Sequence, residues 1–117
     1  SEATSIIFDE IDTGVSGRVS QRMAEKMYQL GVGSQVLCIS HLPQTTALAD
    51  TNLLISKEII DKRTLTVIRE LTEEQKIAEV ARMVSGDTMT KLSEEHSIEM
   101  LRLAEKTKAE IKEKLNK

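Results

Sequence analysis

The sequence predicts an α/β fold: a parallel βαβ core followed by an antiparallel hairpin and two C-terminal helices. Three observations carry this. Ser5-Ile6-Ile7-Phe8 is a short apolar run ending on Asp9-Glu10, a glycine-containing turn and a helix of about fifteen residues follow, and Gln35 to Ser40 is a second apolar run. Two such runs joined by one helix are read as parallel strands with a right-handed crossover.

Ser5 to Phe8 reads as a strand buried on both faces, as parallel strands usually are. Ser16 or Gly17 opens the first helix. Its apolar positions Val19, Met23, Met27 and Leu30 recur at helical spacing, and Gly31 and Gly33 end it. After the second strand, Pro43 suits the first turn of a short helix reaching Ala49. Leu53 to Glu58 and Thr64 to Leu71 read as strands, and the short link Ile60-Asp61-Lys62-Arg63 makes them an antiparallel hairpin. Thr72, with Gln75 three residues on, forms a capping box for a helix whose buried face is Ile77, Val80, Ala81 and Val84, stopped by Gly86. A last helix spans about Thr90 to Leu115. Its stripe Leu101, Ala104, Ile111 and Leu115 is interrupted by Lys108, which fits a solvated helix packing one edge on its own domain, with a coiled-coil stub as the alternative.

Composition bounds what this chain does. At 117 residues it is one domain at most, and 39% apolar residues is low against the ~45–50% usual for globular domains. Phe8 and Tyr28 are the aromatic residues, so the core is expected to be aliphatic and Met-filled. The net charge of −3, with Lys and Arg interspersed among Glu, argues against nucleic-acid binding by this chain itself. The single cysteine, Cys38, gives no disulfide framework and is expected as a small buried hydrophobe. No apolar stretch reaches the ~18 residues of a membrane span, and a reducing cytoplasm fits best. A core strand almost at the first residue, in so apolar-poor a chain, reads as part of a larger unit.

The chemistry converges on one sheet edge. In a parallel pair both strands end at the same edge, which is where ligands of open α/β sheets bind. That edge would gather Asp9, Glu10 and His41, which follows Ser40. A carboxylate for a cation, a carboxylate for water and an imidazole for phosphate suit nucleotide hydrolysis. Taken singly, the acid pair and His41 are each open to a structural reading. His96, among Glu94, Glu95 and Glu99, reads as a surface residue, and two histidines without a Cys-x-x-Cys pair do not make a zinc site. No G-x-x-x-x-G-K-[ST] phosphate loop occurs in the sequence.

Ile6-Ile7-Phe8-Asp9-Glu10-Ile11-Asp12-Thr13-Gly14-Val15-Ser16-Gly17-Arg18, with Gln35-Val36-Leu37-Cys38-Ile39-Ser40-His41-Leu42-Pro43-Gln44, resembles the C-terminal part of the ATPase head of the RecN family. The stretches Ala47-Leu48-Ala49-Asp50 and Leu53-Leu54-Ile55-Ser56-Lys57 are similar to it too, so the resemblance covers essentially the whole chain. That family of bacterial DNA-repair proteins is related to the structural-maintenance-of-chromosomes (SMC) proteins and, more distantly, to ABC ATPases.

The resemblance implies the C-terminal lobe of an ABC/SMC-type P-loop ATPase head, with residues 1–117 forming one partial domain that lacks the P-loop, coiled coil and signature loop. It implies ATP and Mg²⁺ as cofactors. Asp9 matches the Walker B aspartate that holds Mg²⁺, usually through water. Glu10 matches the catalytic glutamate and His41 the switch histidine that contacts the γ-phosphate. Asp12 to Gly17 occupy the D-loop, which places Asp12, Ser16 and Gly17 with Gln44 among the nucleotide-binding residues. Ser16 stands where the transporter-type D-loop ends in Asp, so an Asp-dependent contact across the dimer does not carry over. The implied partners are the N-terminal lobe of the same protein, a second head around ATP, and DNA through the full-length protein. The implied setting is the bacterial cytoplasm and nucleoid, with no membrane. An ATPase in the complete protein, inactive as this lobe alone, is one reading. A catalytically inert interaction module, or the head of another SMC or ABC ATPase, is the alternative.

Overall fold

A computed structural model describes residues 5–9, 14–86 and 88–116. The elements follow the predicted order: β1 (Ser5–Asp9), α1 (Gly17–Gly33), β2 (Gln35–Ile39), α2 (Pro43–Leu48), β3 (Leu53–Ile60), β4 (Arg63–Glu70), α3 (Glu73–Ser85) and α4 (Lys91–Leu115). The fold is α/β. β1 and β2 pair in parallel, with Ile7 beside Leu37 and Asp9 beside Ile39. β3 and β4 pair antiparallel, from Leu53 beside Glu70 to Ile60 beside Arg63.

The expected burial of β1 on both faces does not hold. Ile7 is 67% exposed, and Leu37 and Ile39 on the same face are exposed with it, whereas Ile6, Phe8, Val36 and Cys38 on the other face are half-buried. The cause is the size of the sheet. Among the described residues, two strands have one helix, α1, packed on them, and it leans on β2. Cys38 is therefore half-buried rather than part of a sealed core.

α1 also departs from the expectation. It runs through Gly31 to Gly33 and ends where Ser34 turns extended, so Gly31 does not stop it. Its buried face is Ser20, Ala24 and Met27, while Val19 and Leu30 are exposed. The reason is close packing. α1 meets α2 and α4 through small residues, and Ala24, Ala47, Leu48 and Ala104 form one cluster with Leu101 against it. Small side chains let helix backbones approach, which offsets the shortage of large apolar groups. The core is accordingly aliphatic, but alanine-rich more than Met-filled: Met27 is buried, whereas Met23, Met83 and Met100 are half-buried.

The hairpin turns through Asp61 and Lys62, both with positive φ (50° and 64°). Two consecutive left-handed residues are what a two-residue hairpin turn of type I′ requires, because that twist matches the strands. The Leu71 N–H donates to the Asn52 carbonyl at 2.9 Å and closes the base of the hairpin. One hairpin face carries Leu53, Ile55, Ile59 and Ile68, all exposed.

Both caps of the capping box at the start of α3 are present: Gln75 N–H donates to Thr72 Oγ1 at 3.2 Å and Thr72 N–H to Gln75 Oε1 at 2.9 Å. Gly86, at φ 92°, stops the helix as expected, its N–H donating to the Arg82 carbonyl. Of the expected buried face, Val80 and Ala81 have no exposed surface, Ile77 is half-buried and Val84 is exposed. α4 packs along α1, α2 and α3, which makes it the edge-packing helix foreseen. Lys108 does not interrupt its buried stripe but lies within it, 5% exposed. His96 is exposed.

Candidate functional site

β1 delivers Asp9 to the C-terminal edge of the parallel pair. Asp9 is exposed there, beside Ile39, the last residue of β2. Two residues beyond Ile39 lies His41, also exposed. The intervening turn is locally fixed: Leu42 N–H donates to Ser40 Oγ at 3.1 Å, so the serine hydroxyl folds the backbone around His41. The chain then enters α2 at Pro43, a first-turn position that needs no N–H partner. The strand pairing thus brings Asp9 and His41 to one edge. Glu10 and Asp12, the expected base and a D-loop acid, lie outside the described residues.

Ser16 caps α1: it is extended, its Oγ accepts from Val19 N–H at 3.4 Å, and its carbonyl accepts from Ser20 N–H at 2.8 Å. Gly14 enters that turn at φ 79°, a conformation that favours glycine. The first turn of α1 holds no acid, so its positive end carries no compensating carboxylate. Gly17 faces α2: a Cβ placed on it would sit 3.6 Å from Gln44 Nε2. Ser16, Gly17 and Gln44 therefore form a second, contiguous part of the edge, where the start of α1 meets the start of α2.

Behind this edge, α2 is held by side chains to which sequence reasoning gave no such role. Asn52 Nδ2 donates to the Thr46 carbonyl at 3.1 Å. Lys76 Nζ donates to the Ala49 carbonyl at 2.7 Å, and Lys108 Nζ reaches Asp50 Oδ1 at 3.2 Å. Lys108 also pairs with Glu105 at 2.9 Å and stands 5.7 Å from the centre of the Tyr28 ring. Burial, and then the Lys108 charge, hold the Lys76 ammonium below the usual lysine range, against the pull of Glu105, Glu73 and Asp50. Burial pulls Lys108 down too, but its bonds to Glu105 and Asp50 together outweigh that and leave it above the usual range. The available signal was the Glu105–Lys108 spacing, an i,i+3 ion pair at the edge of the buried stripe.

A cleft of about 330 Å³ between hairpin and α3 is lined by Leu54, Leu71, Gln75 and Met89 among others, and holds neither Asp9 nor His41. A smaller one of about 180 Å³ lies between α1, α2 and α4 and includes Gln44. Among the described residues, no three His, Cys, Asp or Glu side chains group into a metal site, and no helix is long and apolar enough to cross a membrane.

Fold and edge together define an α/β lobe in which an acid and an imidazole leave the same end of a parallel strand pair. Comparison with known proteins is more specific. The chain is 52% identical over 107 residues to DNA repair protein RecN of Bacillus subtilis, covering 92% of the chain and 19% of that protein. It is 58% identical over 101 residues to DNA repair protein RecN of Halalkalibacterium halodurans (86% of the chain, 18% of that protein) and 36% identical over 100 residues to that of Deinococcus radiodurans (86% and 18%). This chain is a homologue of RecN and matches its C-terminal part. It spans about a fifth of the length of these relatives. No protein-family model matches it.

Proposed function

We propose that this chain is the C-terminal lobe of an SMC-like, ABC-type ATPase head, and that the protein carrying it hydrolyses ATP in recombinational repair of DNA double-strand breaks. The observation that carries the reading is the parallel register, which sets Asp9 beside Ile39 with His41 two residues further on. The relatives' name supplies the DNA-repair context.

In this reading Glu10, next to Asp9 in sequence, orients the attacking water and takes its proton. His41 donates to the γ-phosphate, where negative charge must be held in place. Ser16, Gly17 and Gln44 line the approach to the nucleotide, and Asp12 lies on the D-loop leading to a second head. Asp9 suits Mg²⁺: it is an exposed carboxylate at a strand end, and Mg²⁺ typically takes one or two carboxylates, keeping waters and phosphate oxygens for its other positions. The ion would neutralise phosphate charge there.

The bare face of the β1–β2 pair supports an intramolecular partner. Parallel sheets are normally covered on both faces, and Ile7, Leu37 and Ile39 are exposed on this one. In the proposed head, the N-terminal lobe with the P-loop extends this sheet, two heads sandwich ATP, and DNA is engaged by the full-length protein. The bacterial cytoplasm and nucleoid are the expected setting.

The test is steady-state ATP hydrolysis by the complete protein and its Glu10→Gln variant. Preserved nucleotide binding with turnover reduced by about 10²-fold or more is expected of a lost general base. Turnover at the wild-type rate rejects Glu10 as the base.

A further inference from the structure

α2 cannot hold its own shape. It has six residues, no side-chain bond at its N-cap Leu42, and no basic residue in its last turn. Isolated helices this short do not persist in water. Its C-terminal end is instead held by side chains from outside the helix. Asn52 takes the Thr46 carbonyl, and two ammonium groups from two different helices converge on the next residues: Lys76 of α3 on the Ala49 carbonyl, and Lys108 of α4 on Asp50. Positive charge at the C-terminal end is also where a helix dipole is best met.

Lys108 is costly to place there. A side chain 5% exposed gives up most of its hydration, and burying a lysine is tolerated only with partners. Its partners are Glu105 on the same helix and Asp50 beyond α2, with the Tyr28 ring of α1 beside it. A buried lysine used only to hold α4 would be satisfied by Glu105. The second bond ties α4 to the segment that follows His41 and Gln44.

We propose that Lys76 and Lys108 are positioning residues for the nucleotide edge, clamping the end of α2 so that the rigid α3–α4 pair fixes where its start, and hence His41 and Gln44, are held. The role rests on reading His41 as the γ-phosphate contact. Both lysines bond beyond the C-terminal end of α2, at Ala49 and Asp50. They act through a helix of six residues, about 9 Å long at 1.5 Å per residue.

The experiment uses the complete protein with Lys108→Met, Lys76→Met and Asp50→Asn. Methionine keeps an unbranched stem and removes the charge. Asp50 is largely exposed, so its variant removes the tie without disturbing the core. Two readouts are taken: amide hydrogen exchange over residues 41–50, and kcat and KM for ATP. Exchange over 41–50 is expected to rise in all three variants. kcat is expected to fall about tenfold in the lysine variants and about threefold in Asp50→Asn, with KM within about twofold, as for misplacement of a group acting after binding. If Lys108→Met fails to fold, Asp50→Asn and Lys76→Met decide. Wild-type exchange rates over 41–50 in those variants overturn the clamp. Faster exchange with unchanged kcat overturns its link to His41. A wild-type protein that hydrolyses no ATP removes the reading of the edge and the positioning role with it, and the exchange data then judge the clamp alone.

Discussion

Gly17 and Gln44 meet at the junction of α1 and α2, where a Cβ on the glycine would lie 3.6 Å from the amide nitrogen of the glutamine. That separation is ordinary contact, so one carbon fits, and a larger group on that side competes with the glutamine amide for space. Gly17→Ala is expected to leave stability unchanged or raise it by up to about 1 kcal/mol, since alanine is the better helix residue and restricts the unfolded chain. Gly17→Leu is expected to push Gln44 aside and to lower ATP turnover by about tenfold through misplacement. Thermal melting and turnover of the two variants check this. Equal turnover in both would show that Gln44 has no part in the site.

Val80 has no exposed surface and sits beside Ala81 in the face that α3 turns toward α4. Val80→Ala removes two buried carbons and leaves a void, a loss of about 2 kcal/mol. A urea titration of the complete protein reads the loss. A change under half that size would mean that the surrounding helices close the gap.

The hairpin turn places lysine at φ 64°, where a side chain is strained. Lys62→Gly is expected to stabilise by about 0.5–1 kcal/mol, because glycine adopts that conformation freely and Asp-Gly suits a type I′ turn. Slower hydrogen exchange across β3 and β4 is the corresponding observable. Faster exchange would show that glycine's freedom in the unfolded chain outweighs the relief of strain.

Lys108 and Lys76 make opposite contributions to alkaline stability. Lys108 is held above its unfolded value, so its contribution is complete below the unfolded value of about 10.4 and is lost as pH rises through the folded value. Lys76 is held below its unfolded value, so its charge opposes folding at lower pH, and that cost disappears as pH rises past its folded value. Asp50, Glu105, Lys112 and Tyr28 surround the pair. Lys108→Met is therefore expected to flatten the fall of the urea midpoint above about pH 10, and Lys76→Met to remove a rise that precedes it, between the lowered folded value of Lys76 and about pH 10. Parallel curves for the two variants would contradict the assignment.

Element order, strand pairing and both helix caps near Thr72 and Gly86 were legible because each depends on nearby residues: alternating apolar runs, a capping box, a glycine stop. The edge was legible for the same reason, since parallel strands joined by one helix must end together. Burial was less so. Val19 and Leu30 look like a helix face by apolarity, but the neighbouring helices select Ser20 and Ala24 for their size. Lys108 looked like an interruption because its partner Asp50 lies 58 residues away, a distance that no local pattern spans. The exposure of Ile7 depends on how many strands the sheet has, which its own strand does not encode.

The bare face of the β1–β2 pair also bears on how such a protein is made. Its open strand edges and apolar surface are a template for pairing with any extended chain. In the proposed head, the N-terminal lobe that shields them has to be within reach when this lobe emerges, or the newborn chain offers a sticky seam to its neighbours on the same messenger. If the proposed head is right, severing this lobe from its partner lobe would do more than remove turnover: it would leave a fragment suited to chaperone capture and proteolytic removal, a quality-control checkpoint on the joining of the two lobes.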